Sequence, residues 1–170
     1  MSDRTENQWV VLVTGASAGL GLAIASQFAR SGHQVVMVGR SVERLRLAAD
    51  SIKCSTPPIL FACDVTSAIQ TRQLADDLSQ QLGRLDILVN NVGTSDRGVI
   101  ESLDADHLKD LLQANLFSSL QTIQSLLPLL KASRGQVVNI GSLAQSAAAI
   151  FGRLRKLRNM PWLTTPATAS

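Results

Sequence analysis

The segment TGASAGLG, residues 14–21, spaces three glycines in a way that suits one kind of chemistry, the binding of a phosphate group. It follows the apolar, β-branched run WVVLVT and opens a helical pattern, which is the setting in which a glycine turn wraps a pyrophosphate. Gly15 permits the sharp turn, Gly19 lets the backbone approach the anion, and Gly21 lets helix and strand pack closely. Ser17 and Leu20 stand in the same turn and are expected to line it. The helix starting here adds unpaired amides and a partial positive charge, both favourable to an anion.

A second chemical signal lies about twenty residues further on, at the end of the next apolar run, QVVMVG. A dinucleotide site for NAD places an acid there to hold a ribose 2′-hydroxyl, but this sequence reads Gly39-Arg40-Ser41. A guanidinium at that position suits a 2′-phosphate through forked, charge-assisted hydrogen bonds, so NADP is expected rather than NAD. The competing role for Arg40 is a solvated helix-entry residue partnered by Glu43. Cys54 and Cys63 form no CxxC and have no histidines at ligand spacing, so no metal is expected. His33, in the loop before QVVMVG, and His107, early in a polar helix, read as surface residues.

These positions need elements to hold them, and the apolar pattern supplies alternating strands and helices. WVVLVT, QVVMVG, PPILFAC, LDILVN and GQVVNIG read as buried strands. Between them lie helical stretches: LGLAIASQFARSG, SVERLRLAADSIK capped by Ser41, TSAIQTRQLADDLSQQLG capped by Thr66, and a long one from about Asp104 to Leu130. Alternation of this length forces parallel pairing through right-handed crossovers and predicts an α/β, Rossmann-type doubly wound sheet in the order 3-2-1-4-5. The pattern stops near Ile150, giving a dinucleotide-binding domain over residues 1–150 and a basic, disordered tail over 151–170.

With TGASAGLG at the first turn, NNVG after the fourth strand and NIGS after the fifth, the chain resembles the short-chain dehydrogenase/reductase family over roughly residues 8–150. The resemblance implies that Asp64 and Val65 hold the adenine ring. A carboxylate at a strand end can accept from an exocyclic amine, with the next backbone amide assisting. Capping the following helix would be the other role for Asp64, one that Thr66 already fills. Asn91 and Gly93 match positions that line the adenosine ribose, with Val92 where the family has alanine, a packing adjustment.

The family's reductases use an Asn, a Ser, a Tyr and a Lys together. The resemblance assigns Asn115 to the proton-relay position and Ser142 to the carbonyl-polarising position. The Tyr and Lys have no counterpart: the sequence contains no tyrosine, Arg155 and Asn159 stand in that region, and Lys156 is out of register. Arginine, with a pKa above ~12, cannot act as the acid near neutral pH. The fold implied by the resemblance continues past the fifth strand with helices and strands not matched here, which leaves strand five as an open apolar edge.

Composition bounds the remaining readings. Apolar residues at 45% and charged residues at 17% fit one soluble domain. Arg153, Arg155, Lys156 and Arg158 more than account for the net charge of +3, so the basicity belongs to the tail. The polar start MSDRTENQW lacks the apolar stretch of a signal peptide, no run is long enough to span a membrane, and a cytoplasmic location is expected. The leading expectation is an NADP-dependent oxidoreductase moving hydride between nicotinamide and a carbonyl or secondary alcohol carbon, impaired as written and truncated or frame-shifted after about Ile150. The alternative is a non-catalytic NADP-binding regulatory module whose basic tail meets a partner. The expected partner is a small carbonyl or alcohol substrate, with neither nucleic acid nor membrane. The family's homo-oligomeric pairing would lack an interface helix here.

Overall fold

The computed structural model describes residues 8–94 and 104–141. Five parallel strands, β1 (Val10–Thr14), β2 (Gln34–Gly39), β3 (Ile59–Ala62), β4 (Ile87–Asn90) and β5 (Gln136–Asn139), form one sheet in the order β3-β2-β1-β4-β5. This is the order expected from the alternation of the sequence. Register runs without interruption from Val10 opposite Gln34 to Thr14 opposite Val38, so the glycine turn and Gly39 emerge at the same end of the sheet.

Alternate residues of the central strand serve opposite cores, which is why β1 reads as a continuous apolar run. Val11 and Val13 pack with α1 (Gly19–Arg30) and α2 (Val42–Asp50) through Ala25, Ala29 and Leu45. Val10 and Leu12 pack with α3 (Ala68–Gln81) and α5 (Ser118–Ser133) through Leu74, Leu78, Leu126 and Leu130. Asp86 closes the lower end of the sheet: one carboxylate oxygen accepts from the Val10 amide at 2.7 Å and the other pairs with Arg84.

Two local expectations require correction. The residue capping α3 is Ser67, whose hydroxyl accepts from the Gln70 amide, whereas Thr66 turns back onto Asp64. The long helix is not uniform: α4 (Ala105–Leu112), capped by Asp104, passes into a π turn (Gln113–Phe117) before α5, which runs on to Ser133. His33 is partly exposed, stacks on Trp9 at a ring separation of 4.8 Å and accepts from its amide.

The fifth strand is one of the two edges among the described residues, β3 being the other, and all four of its residues are exposed. Val137 and Val138 remain 39% and 42% accessible, in keeping with the expected open apolar edge. Ser142 and the basic segment 151–170 lie outside the described residues, as does residue 150, where the domain boundary was expected.

Candidate dinucleotide-binding site

Everything the sequence marks for phosphate binding collects at the C-terminal ends of the central strands. Thr14 ends β1 fully buried, and its hydroxyl donates to Val89 O and accepts from the Asn91 amide at 2.9 Å. Asn91 answers with its side chain, whose Nδ2 donates to Thr14 O at 3.1 Å. The ends of β1 and β4 are thereby laced together, and the glycine turn is held against the NNVG loop.

Gly15 and Gly19 have φ of 64° and 56°, the left-handed region where glycine carries no Cβ penalty. Gly21 is required for a different reason. A Cβ there would lie 2.5 Å from Asn91 Nδ2 and closer still to the Gly15 carbonyl oxygen. Around Gly19, by contrast, a Cβ would meet nothing within 4 Å, so the turn opens outward just where the helix begins. Ser17 is half-buried and Leu20 is 56% accessible at this mouth. No side chain caps α1 and no acid stands in its first turn; the first amide returned to the helix is that of Leu22, on Ala18 O. The preceding amides are left for an anion.

Beside this cradle, β2 ends at Gly39, whose carbonyl accepts from the Cys63 amide, and Arg40 follows in an exposed position. Ser41 caps α2 by accepting from the Arg44 amide and donates its own proton to Glu43. Glu43 is therefore occupied by its own backbone amide and by Ser41, which lower its pKa, and it is not the partner of Arg40. Arg40 instead lies near Asp64. The Asp64 carboxyl is held below the usual carboxylate range first by the Thr66 amide, then by the Thr66 hydroxyl, with Arg40 adding a smaller attraction. Both Thr66 bonds fall on Oδ1, at 2.9 and 2.8 Å, leaving Oδ2 and the neighbouring Val65 amide without a hydrogen-bond partner among the described residues. Next door, burial and the Asp64 charge push the Cys63 thiol up to about 11.

The third component is the π turn. Asn115 sits within it and makes a reciprocal pair with the Thr94 backbone, accepting from its amide at 2.7 Å and donating to its carbonyl at 2.9 Å. Its side chain is thus committed to holding the loop after β4. A Cβ at Gly93 would come within 2.9 Å of Asn115 Oδ1, so Gly93 makes this approach possible. Two residues that the motifs do not mark also act here: Gln113 donates to Thr66 O at 3.2 Å and Gln121 to Val65 O at 2.9 Å. In the sequence they are two of four side-chain amides between residues 113 and 124, with Asn115 and Gln124, and nothing in the spacing singles them out.

An uncapped helix behind a glycine cradle, at the carboxyl end of a doubly wound parallel sheet, defines a dinucleotide-binding Rossmann domain. A family profile described as short chain dehydrogenase matches residues 9–152. The chain belongs to that family. It is similar to a fatty acyl-CoA reductase of Acinetobacter baylyi, 35% identical over 144 residues that cover 82% of this chain and 49% of the relative. Among solved structures it is similar to an alcohol dehydrogenase of Thermococcus sibiricus complexed with 5-hydroxy-NADP (TM-score 0.74, 27% identity, 78% of this chain and 57% of that one). It is also similar to an L-sorbose reductase of Gluconobacter frateurii complexed with NADPH and L-sorbose (TM-score 0.72, 30% identity, 78% and 51%). The chain spans about half the length of the curated relatives it matches. No helix among the described residues is long and apolar enough to cross a membrane.

Proposed function

We propose that this chain forms the NADP(H)-binding part of an oxidoreductase acting on a small carbonyl or secondary alcohol. The observation that carries the reading is Arg40, exposed at the end of β2 beside Asp64, where an NAD site would place an acid. The uncapped α1 terminus with Ser17, Gly19 and Leu20 would receive the pyrophosphate, Arg40 and Ser41 the 2′-phosphate, and Asp64 Oδ2 with the Val65 amide the adenine edge. Asn91 and Gly93 would border the ribose. When bound, the cofactor supplies a hydride from its nicotinamide ring. Relatives complexed with NADP or NADPH support the same choice of cofactor.

In this reading Ser142 polarises the substrate carbonyl. Asn115 contributes through its place in the π turn rather than through a free amide, since both ends of that amide are engaged by Thr94. The sequence has no tyrosine to move the proton, so these 170 residues are expected to bind NADPH and turn over slowly or not at all. That same absence favours the second reading, a non-catalytic NADP-binding module with a partner for its basic segment. Titration by NADPH and NADH fluorescence, followed by carbonyl reduction assays, tests both. NADPH binding at least about tenfold tighter than NADH is expected from a charge-assisted contact, and equal affinities would overturn the cofactor assignment. Turnover would reject the non-catalytic module, whereas tight binding without turnover would support it.

Subunit pairing, as in the family, would use the long helix. Leu108, Leu112, Leu116 and Leu120 recur at four-residue spacing and are 41–56% accessible, an apolar stripe of the kind that a second subunit covers.

A further inference from the structure

The loop Asp64–Val65–Thr66 connects β3 to α3 and would meet the adenine ring, yet none of its backbone is held by the sheet beyond the Cys63 amide. The Ser67 amide donates to Asp64 O, and three glutamine side chains hold the other backbone groups. Gln70 Oε1 accepts from the Asp64 amide at 2.8 Å, Gln121 donates to Val65 O at 2.9 Å, and Gln113 donates to Thr66 O at 3.2 Å. With Oδ1 of Asp64 tied to Thr66, two groups of the loop have no hydrogen-bond partner among the described residues, Asp64 Oδ2 and the Val65 amide. One is an acceptor and the other a donor, in adjacent residues.

We infer that Gln113 and Gln121 are positioning residues for the base of the dinucleotide: from the long helix they fix the two loop carbonyls so that Asp64 Oδ2 and the Val65 amide stand as an acceptor–donor pair facing the ligand. The inference rests on the NADP(H) reading above and goes beyond it, since both glutamine amides are bonded to loop carbonyls and neither residue is assigned to the ligand there. The pair they present fits an amino group next to a ring nitrogen acceptor, as in adenine. It mismatches hypoxanthine, which offers a carbonyl and an N–H at the same positions. Gln113 belongs to the π turn that also carries Asn115, so one turn of helix holds both the adenine loop and the loop after β4. An unbroken α-helix would place 113, 115 and 121 in a different angular relation.

The test compares NADPH with its hypoxanthine analogue in the full chain, both followed by nicotinamide fluorescence, in the wild type and in Gln113→Met and Gln121→Met. Methionine keeps the length of the side chain and removes the donor. The wild type should prefer NADPH by at least about tenfold, because the analogue leaves both loop groups mismatched. Each variant should lose roughly two- to tenfold in NADPH affinity, the effect of one net hydrogen bond, with the analogue changed less than about twofold and the melting temperature unchanged. Gln121→Asn, which keeps the amide but shortens its reach, should show the same selective loss and guards against a misfolding variant. An unchanged NADPH-to-analogue ratio, or equal weakening of both ligands together with a lowered melting temperature, would overturn the positioning role while leaving the cofactor reading intact. Failure of the folded wild type to bind either ligand would overturn the cofactor reading, and the inference with it.

Discussion

Replacing Gly21 by alanine puts a methyl group into a space bounded by backbone. The new carbon would stand 2.5 Å from Asn91 Nδ2, 2.9 Å from the Gly15 carbonyl carbon, and closer still to the Gly15 oxygen. Ordinary contact requires roughly 3.4 Å or more, so α1 must withdraw from the turn by on the order of 0.5–1 Å. Asn91 cannot simply swing away, because its Nδ2 holds Thr14 O. Overpacking of this kind costs about 1–3 kcal/mol, and alanine's better helix propensity returns up to about 1 kcal/mol. With the cost taken at about 2–3 kcal/mol because backbone atoms are crowded, the net loss is about 1–3 kcal/mol, and at 2–4 °C per kcal/mol for a chain of this size Tm should fall by about 2–12 °C. NADPH affinity should fall more steeply, by tenfold or more, since the displaced helix terminus is the proposed pyrophosphate site. Gly19→Ala serves as the contrast. It meets no neighbour within 4 Å and carries only the left-handed backbone penalty of about 1–2 kcal/mol. Differential scanning fluorimetry and NADPH titration on the two variants decide the matter. If Gly21→Ala matched the wild type in both Tm and affinity, the close-packing account of the turn would be wrong.

Three other substitutions probe separate parts of the molecule. Arg40→Ala should weaken NADPH about tenfold or more and leave NADH within about twofold; equal loss of both would remove Arg40 from the 2′-phosphate site. Asp86→Ala strips the buried Val10 amide of its acceptor, an expected loss of about 1–3 kcal/mol or roughly 2–10 °C in Tm, and an unchanged melt would contradict it. For pH, the folded Cys63 thiol titrates at about 11 against 9.0 unperturbed, so folding favours its neutral form. Its stabilising contribution is complete below about pH 9 and is lost as pH climbs through 11. Asp64 has the opposite sign: its lowered pKa contributes above the unperturbed 3.8 and is lost as pH falls below it. Urea midpoints across pH 8–11 should show an alkaline decline that Cys63→Ala reduces; an identical decline in the variant would reject the assignment.

The order of the sheet was readable because buried parallel strands leave continuous apolar runs, and WVVLVT, QVVMVG and LDILVN are such runs. The Ser41 cap was equally readable from Ser followed by Glu at the start of a helical pattern. Thr66 and Ser67 are adjacent hydroxyls, and composition could not choose between them. The choice fell to Asp64, which takes both donors of Thr66 and leaves Ser67 to cap. Hydrophobic periodicity is too coarse to register one surplus residue, so the π turn was not legible. Gln113 and Gln121 were missed because their partners are backbone carbonyls 47 and 56 residues away, which carry no mark in the side-chain code. Asn115 carries a motif signal, but that its amide is spent on Thr94 depends on loop geometry alone.

The π turn also sets what lengths of chain this helix can accept. With the π turn kept, one residue removed between Ser118 and Leu120 would rotate everything beyond it by about 100°. Leu126, Leu129 and Leu130 would then leave the core, and Gln121 would point away from Val65. Insertions elsewhere in the fold fall in connecting loops, where a residue more or less is absorbed. This helix behaves instead as a ruler, and relatives that share its two loop attachments should share its residue count.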